Sequence, residues 1–123
     1  MIKIVFCLRR QPALSQEEFR RYWLEQHAPL VRQHAKVLRI ARYTQSYVLT
    51  DPRIASAVNA RGCQLEPFDG VAELYWNSID DVVAAGNTPE GREAGRELLA
   101  DEQRFIDLAR STLFYAHEDV IFG

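Results

Sequence analysis

A histidine ends a stripe of aromatic residues in the segment from Phe19 to Val31, which reads FRRYWLEQHAPLV. In a helix, Phe19, Trp23 and His27 share one face because they are spaced four residues apart, and that face normally packs against a core. An imidazole directed toward apolar side chains needs a hydrogen-bond partner, a bound ligand or a chemical function. We take His27 as the first catalytic candidate, since a neutral imidazole can take a proton from a carbon acid and return it to a leaving hydroxyl. The alternative is a structural His27 that bonds a backbone carbonyl and closes the helix end before Pro29.

A second acid/base candidate is Glu73, an acidic residue in a predicted strand, where β-propensity disfavours it. Glu73 shares one side of that strand with Tyr75. If this side faces the helices, Glu73 could orient His27 or transfer a proton itself. The alternative is that Glu73 forms a salt bridge with Arg42 or another strand arginine.

The candidate substrate-binding residues would provide flat walls, hydroxyls and an amide for an aromatic or polyketide-like ligand. They lie on the first predicted helix and on two predicted strands, and they are Trp23, Tyr43, Gln45, Tyr47 and Tyr75. The alternative is an aromatic core with outward hydroxyls, because aromatic stripes commonly build cores. Trp23 in particular suits packing.

Composition and motif content argue against several classes of function. The chain has 123 residues, 47% of them hydrophobic, and a formal net charge of -2, so it carries no basic footprint for nucleic acid. The apolar runs are too short to span a membrane, and the first residues do not form a signal peptide. We therefore expect a cytoplasmic protein in which the two cysteines, Cys7 and Cys63, are reduced. No cysteine–histidine cluster or glycine-rich phosphate loop is present, so we expect neither a metal nor a cofactor.

The elements that position these residues follow the order strand, helix, strand, strand, helix, strand. Ser15 and Glu18 form a capping-box pattern at the start of the first helix, and Pro29 disfavours continuation of that helix. Asp101 could interrupt the last helix. The predicted boundaries are strand Ile2–Leu8, helix Ser15 to about His27, a short helix to about Val37, strand Ile40–Thr50, a segment 51–67 with one weak helical turn, strand Val71–Trp76, helices capped by Asn77 or Ser78 and by Thr88, and strand Ser111–Phe122.

This order predicts an α+β protein with the ferredoxin-like βαββαβ fold, formed by residues 1–123 as one domain. Its four-stranded antiparallel sheet would have the helices on one face. The strands nevertheless carry bulky apolar residues on both sides, for example Val5 beside Phe6, and a sheet that is apolar on both faces needs two covers. We therefore expect a homodimer in which two sheets pack face to face. The alternative is a monomer in which the segment 51–67 shields the second face.

Four segments of the chain resemble the EthD-like family of the dimeric α+β barrel superfamily. Phe19–Val31 resembles the family's Phe-x-x-x-Trp and His-Ala-Pro signature, and the others are similar to its second strand, its third-strand entry and the segment before its final strand: Tyr43–Gln45, Phe68–Leu74 and Arg104–Ser111. The resemblance implies a ferredoxin-like dimer. It is less specific about chemistry, because fungal relatives are cofactor-free dehydratases of polyketides, named members are associated with ether-degrading oxidation systems, and distant members are monooxygenases, lactone isomerases or haem enzymes.

We accordingly expect a cofactor-independent enzyme in which His27 transfers a proton on a small hydrophobic or aromatic substrate, in dehydration, isomerisation or cyclisation. Two alternatives stay open. One is an oxidative role, as a cofactor-free monooxygenase or an accessory protein of an ether- or aromatic-degrading oxidase system. The other is a non-catalytic module that binds a hydrophobic metabolite. Oxygen consumption would identify the first alternative, and recovery of unchanged ligand would identify the second.

Overall fold

A four-stranded antiparallel sheet in the order β2-β3-β1-β4 carries the helices on one face, as described for all 123 residues by a computed structural model. This is the predicted ferredoxin-like arrangement, and the order of elements along the chain is confirmed. The elements are β1 (Ile2–Leu8), α1 (Gln16–Tyr22), a π-helical turn (Trp23–His27), α2 (Ala28–His34), β2 (Arg42–Tyr47), α3 (Ala55–Asn59), β3 (Gly70–Trp76), α4 (Ile79–Gly86), α5 (Pro89–Phe105) and β4 (Thr112–His117), with 3₁₀ turns at Pro52–Ile54 and Leu108–Arg110.

The pairing register decides which side chains face the helices. Residues directly opposite each other in an antiparallel pair project to the same side of the sheet. Phe6 pairs with Ala72 and Leu113, and Ala72 belongs to the core cluster together with Phe19 and Trp23, so this side faces the helices. The opposite side, which we call the open face, has no helix over it.

The helical run from Gln16 to His34 passes through the π turn without leaving helical dihedral angles. Ser15 and Glu18 form the predicted capping box, each side chain bonding the other's backbone N–H. At the end of the π turn, the Ala28 N–H donates to the carbonyl of Trp23, five residues back. Pro29 has no N–H to donate, and the wider π turn lets the chain continue past it where a break was expected.

The other helix boundaries follow their caps. Ser78 accepts a hydrogen bond from the Asp81 N–H at the start of α4, and Thr88 caps α5 with Pro89 in its first turn. Helix α5 runs through Asp101 to Phe105 without interruption. The two edge strands are shorter than predicted, β2 covering Arg42–Tyr47 and β4 covering Thr112–His117, because β2 ends opposite Gly70 at the start of β3 and β4 ends opposite Ile2 at the start of β1.

The core lies between the sheet and the helices, and its largest completely buried side chains are Phe19, Trp23 and Phe105. The Phe19 ring packs on Trp23 with centroids 5.5 Å apart and on Phe105 with centroids 5.7 Å apart. A side chain on Gly70 would place its Cβ only 2.6 Å from the Trp23 ring, so the close approach of β3 to this helix requires glycine.

A matched pair of glycines on α5 gives a stability prediction. A Cβ on Gly91 would lie 1.8 Å from the carbonyl oxygen of Ala85, whereas a Cβ on Gly95 would meet nothing within 4 Å. We expect Gly91→Ala to lower the free energy of unfolding by about 3 kcal/mol, because a backbone carbonyl must move. Gly95→Ala should raise it by about 0.5–1 kcal/mol through helix propensity. Urea denaturation of both variants would measure this, and equal effects would contradict the packing at the α4–α5 junction.

Candidate active site

His27 lies at the end of the π turn and is buried between the helices and the sheet, with only 5% of its surface exposed. Its Nδ1 lies 2.7 Å from Oδ2 of Asp101 in α5. Its ring packs against Phe105, with centroids 5.0 Å apart. The alternative in which His27 bonds a backbone carbonyl is wrong, since its hydrogen-bond partner is a carboxylate and its Nε2 has no partner in the protein.

Asp101 is itself held in place by a second donor. The Tyr22 hydroxyl donates to Oδ1 of Asp101 over 2.6 Å, while His27 occupies the other carboxylate oxygen. A carboxylate on Nδ1 favours the tautomer in which Nδ1 carries the proton and Nε2 keeps its lone pair. The pair therefore presents Nε2 as the basic atom of the imidazole.

Burial lowers the pKa of His27 below its ordinary value, and the hydrogen bond and charge of Asp101 oppose that shift without cancelling it. The imidazole is consequently neutral near pH 7, which is the state that a general base requires.

A cavity of about 30 Å³ adjoins the His27 ring and is lined almost entirely by apolar side chains. Trp23 and Tyr43 form part of its wall, together with Phe6, Leu8, Val31, Ala72, Leu74, Leu98 and Ile106. In addition to His27 and the phenol-bearing Tyr43, the lining contains one more polar residue, Glu102 of α5. A space of this size admits a water molecule or the tip of a ligand, so the reacting end of a substrate could enter it while the remainder stays outside.

A larger groove of about 380 Å³ lies next to this cavity and shares with it the side chains of Phe6, Leu74, Leu98 and Glu102. Its other walls come from β4, from α4 and from the chain before β2, and include Tyr115, Val82 and Ile40. Groove and cavity share one wall, and both are lined mostly by apolar side chains. This is the kind of concave space in which small-molecule ligands are held.

Of the predicted binding residues, Trp23, Tyr43 and Gln45 are brought together. The Gln45 amide donates to the Trp23 carbonyl and to the Tyr43 hydroxyl, each over 2.9 Å. Burial raises the pKa of Tyr43 to about 12, so its hydroxyl stays protonated and keeps a hydrogen that it can donate. Tyr47 is not part of this group: the residue is 49% exposed, and its ring lies under the Arg20 guanidinium, whose central carbon is 3.9 Å from the ring centroid.

Glu73 and Tyr75 lie on the open face, away from His27, and the expectation that they adjoin it is wrong. The register pairs Glu73 with Val5 and Tyr75 with Lys3. Lys3 Nζ contacts the Glu73 carboxylate at 2.5 Å and the Glu118 carboxylate at 2.9 Å, so the partner of Glu73 is a lysine and not the expected arginine. Both sides of β3 carry apolar residues, so the sequence alone did not identify the side that faces the helices.

Asp101 and Glu102 are the site residues that the sequence reading missed. A signal for them exists in α5, where the buried residues Ala94, Leu98 and Phe105 recur at helical spacing. Asp101 and Glu102 fall in the gap of this apolar stripe, where acidic residues are unusual. No group of three histidine, cysteine or carboxylate side chains is placed to hold a metal ion, and none of the helices has the length and apolar character needed to cross a membrane.

The sequence of this chain is similar to those of known proteins. The sequence model of the EthD domain matches residues 11–109. A conidial pigment biosynthesis dehydratase EthD of Metarhizium robertsii is 26% identical over 106 residues, which cover 85% of this chain and 72% of the relative. A decarboxylase of Claviceps purpurea is 24% identical over 124 residues, which cover 98% of this chain and 86% of the relative.

Solved structures agree on the fold. An EthD family protein of Bacillus halodurans superimposes with a TM-score of 0.62 at 22% identity, over 97% of this chain and 99% of that one. A dimeric protein of unknown function with a ferredoxin-like fold, from Bacteroides fragilis, superimposes with a TM-score of 0.57 at 12% identity, over 95% of each chain. Because the domain model spans most of the sequence and the fold agrees with it, the chain belongs to the EthD family.

Proposed function

We propose that this protein is a cofactor-independent small-molecule enzyme of the lyase type, in which His27 removes a proton from carbon. The observation that carries the proposal is the buried His27–Asp101 pair, whose unpartnered Nε2 belongs to a ring that borders an apolar cavity. A neutral imidazole oriented by a carboxylate is the arrangement expected of a general base.

The proposed step is abstraction of a proton from the carbon beside a carbonyl group. His27 Nε2 takes the proton, and the electron pair of the broken C–H bond moves into the carbonyl to give an enolate. The Asp101 carboxylate stabilises the imidazolium that forms, and the Tyr43 hydroxyl is available to donate to the enolate oxygen. The imidazolium then returns a proton to the carbon, or the enolate expels a leaving group.

The relatives' names support a reaction of this class. One relative is named a dehydratase and others are named decarboxylases. Each of these reactions can proceed through an electron pair on the carbon next to a carbonyl, which is the step proposed for His27. The narrow apolar site suits a hydrophobic or aromatic substrate with one polar end.

Deuterium exchange tests the proposal with benzylacetone, a ketone with an aromatic tail, as the probe. Incubation in deuterated buffer should incorporate deuterium beside the carbonyl faster than buffer alone or urea-unfolded protein does, as followed by proton NMR. A ketone that binds and is recovered without exchange would indicate a binding module and contradict the proposal.

We also infer that the protein functions as a homodimer joined through the open face. Val5 and Phe114 pair across β1 and β4 on that face, and Phe114 is 47% exposed. The similar structures from Bacteroides fragilis and Thermobifida fusca are described as dimeric.

Light scattering after size-exclusion chromatography should therefore give twice the 14.2 kDa of the chain. Phe114→Glu should shift the population toward the monomer, because it buries a charge in the interface. Leu99→Glu is the matched control, since Leu99 in α5 is also 47% exposed but lies on the helical side. A wild-type monomer at micromolar concentration would contradict this inference.

A further inference from the structure

Glu102 is a partly buried carboxyl without a partner. No hydrogen bond or ion pair to its side chain exists in the structure, whereas the neighbouring Asp101 accepts two hydrogen bonds. Glu102 lines both the cavity beside His27 and the larger groove, so it stands where the two spaces meet. A carboxyl in such an apolar setting costs stability, and that cost is typical of residues kept for function.

The titratable groups near Glu102 do not supply a compensating charge. His27 and Tyr43 line the cavity with it, Tyr115 lines the groove with it, and the Asp101 carboxyl is its neighbour on α5. The cation that lines the same groove is Arg92, about three helical turns away along α5. Burial, and then the charge of Asp101, raise the pKa of Glu102 to about 7, so a large fraction of it carries a proton at neutral pH.

We propose that Glu102 is a second catalytic residue, which protonates a hydroxyl group as it leaves the carbon next to the one that His27 deprotonates. This rests on the proposed function and defines its substrate as a β-hydroxy carbonyl compound with an apolar or aromatic tail. The tail would occupy the groove, the hydroxyl would lie at the junction beside Glu102, and the acidic carbon would enter the cavity beside His27.

The proposed elimination balances without any further reagent. His27 takes the proton from carbon, the electron pair forms the new C=C bond, and the C–O bond breaks. The departing oxygen takes the proton of the Glu102 carboxyl and leaves as water. The imidazolium and the carboxylate then neutralise each other by proton transfer through water, which restores both groups for the next cycle.

The test uses the aldol of benzaldehyde and acetone, a β-hydroxy ketone that gives benzalacetone when it loses water. In deuterated buffer, NMR measures exchange at the carbon beside the carbonyl, and ultraviolet absorbance measures the conjugated product. We expect Glu102→Gln to lower the ratio of dehydration to exchange by about tenfold or more, because only the protonation of the leaving group is lost. His27→Gln should lose both reactions. An unchanged ratio in Glu102→Gln would overturn the proposal while leaving the role of His27 intact.

A binding measurement decides the question even if the wild type converts neither probe. Calorimetry would follow binding of the same aldol to His27→Gln, in which the nearby imidazole no longer titrates. A protonated Glu102 donates to the hydroxyl oxygen of the aldol and an ionised one cannot, so we expect about fivefold weaker binding at about pH 8.5 than at about pH 5.5. The double variant His27→Gln/Glu102→Gln should bind independently of pH. The proposal would be overturned if binding to His27→Gln were the same at both pH values, or if no binding were measured at either pH.

Discussion

Replacing His27 by glutamine is expected to slow deuterium exchange into benzylacetone by about 10²- to 10⁴-fold, the range that general bases contribute. Glutamine keeps a polar side chain of similar reach and can still bond Asp101, but it has no basic nitrogen. The loss should fall on kcat more than on KM, because the ring acts on the bound substrate. Proton NMR under saturating ketone would measure it.

Asp101→Asn separates orientation of the imidazole from its basicity. Nε2 remains present in this variant, but the amide neither holds the tautomer nor stabilises the imidazolium. We expect a smaller loss of about 10- to 100-fold, comparable with the loss of partners that orient metal-binding histidines. Circular dichroism and thermal unfolding would verify that both variants fold. Full exchange by a folded His27→Gln protein would remove His27 from the chemistry.

The second large effect concerns the pH dependence of stability, to which Glu102 and His27 contribute with opposite signs. The pKa of Glu102 is about 7 in the folded protein, above its ordinary value of 4.5. The folded state therefore retains a proton that the unfolded chain has lost between these two values. This contribution to stability is complete below about pH 4.5 and is lost as the pH rises through 7, and a shift of this size corresponds to about 3 kcal/mol.

His27 acts the other way because its pKa is lowered in the folded state. Its contribution is present above the ordinary histidine pKa of 6.5 and is lost as the pH falls through the lowered value. Comparing each variant with wild type at every pH isolates the two contributions.

We expect the stability of Glu102→Gln relative to wild type to increase by about 3 kcal/mol between about pH 4.5 and pH 8 in urea titrations. Glu25→Gln is the matched control, since Glu25 is exposed in the π turn and has no ion pair. A constant difference between Glu102→Gln and wild type would show that the Glu102 carboxyl titrates normally.

The fold was predictable because its signals are local. The capping box at Ser15, the cap at Thr88 and the alternation in each strand depend on residues a few positions apart. The same holds for the aromatic stripe that ends in His27. Edge-strand lengths were overestimated because the absence of a partner strand is a tertiary fact that β-propensity does not contain.

The site was predictable only in part because its geometry is not local. The partner of His27 is Asp101, 74 positions along the chain, and no spacing rule connects them. The side of the sheet on which Glu73 lies does not follow from the sequence, because strand parity has two solutions when both sides are apolar. Glu102 has only a weak signal in the sequence, as an acidic residue in the gap of the apolar stripe of α5, and only the folded structure places it in the lining of both the cavity and the groove.

The π turn from Trp23 to His27 has a genetic consequence. Such a turn is equivalent to one residue inserted into an α-helix, and one residue changes the direction of everything that follows by about 100°. A single added codon in this helix is therefore enough to swing an imidazole from one side of the helix to another, while the sheet, the caps and the remaining helices stay as they are. Family members with and without that codon would share one scaffold yet differ in whether they have a reactive centre. The number of residues between the positions equivalent to Phe19 and Pro29 would distinguish them without any knowledge of their substrates.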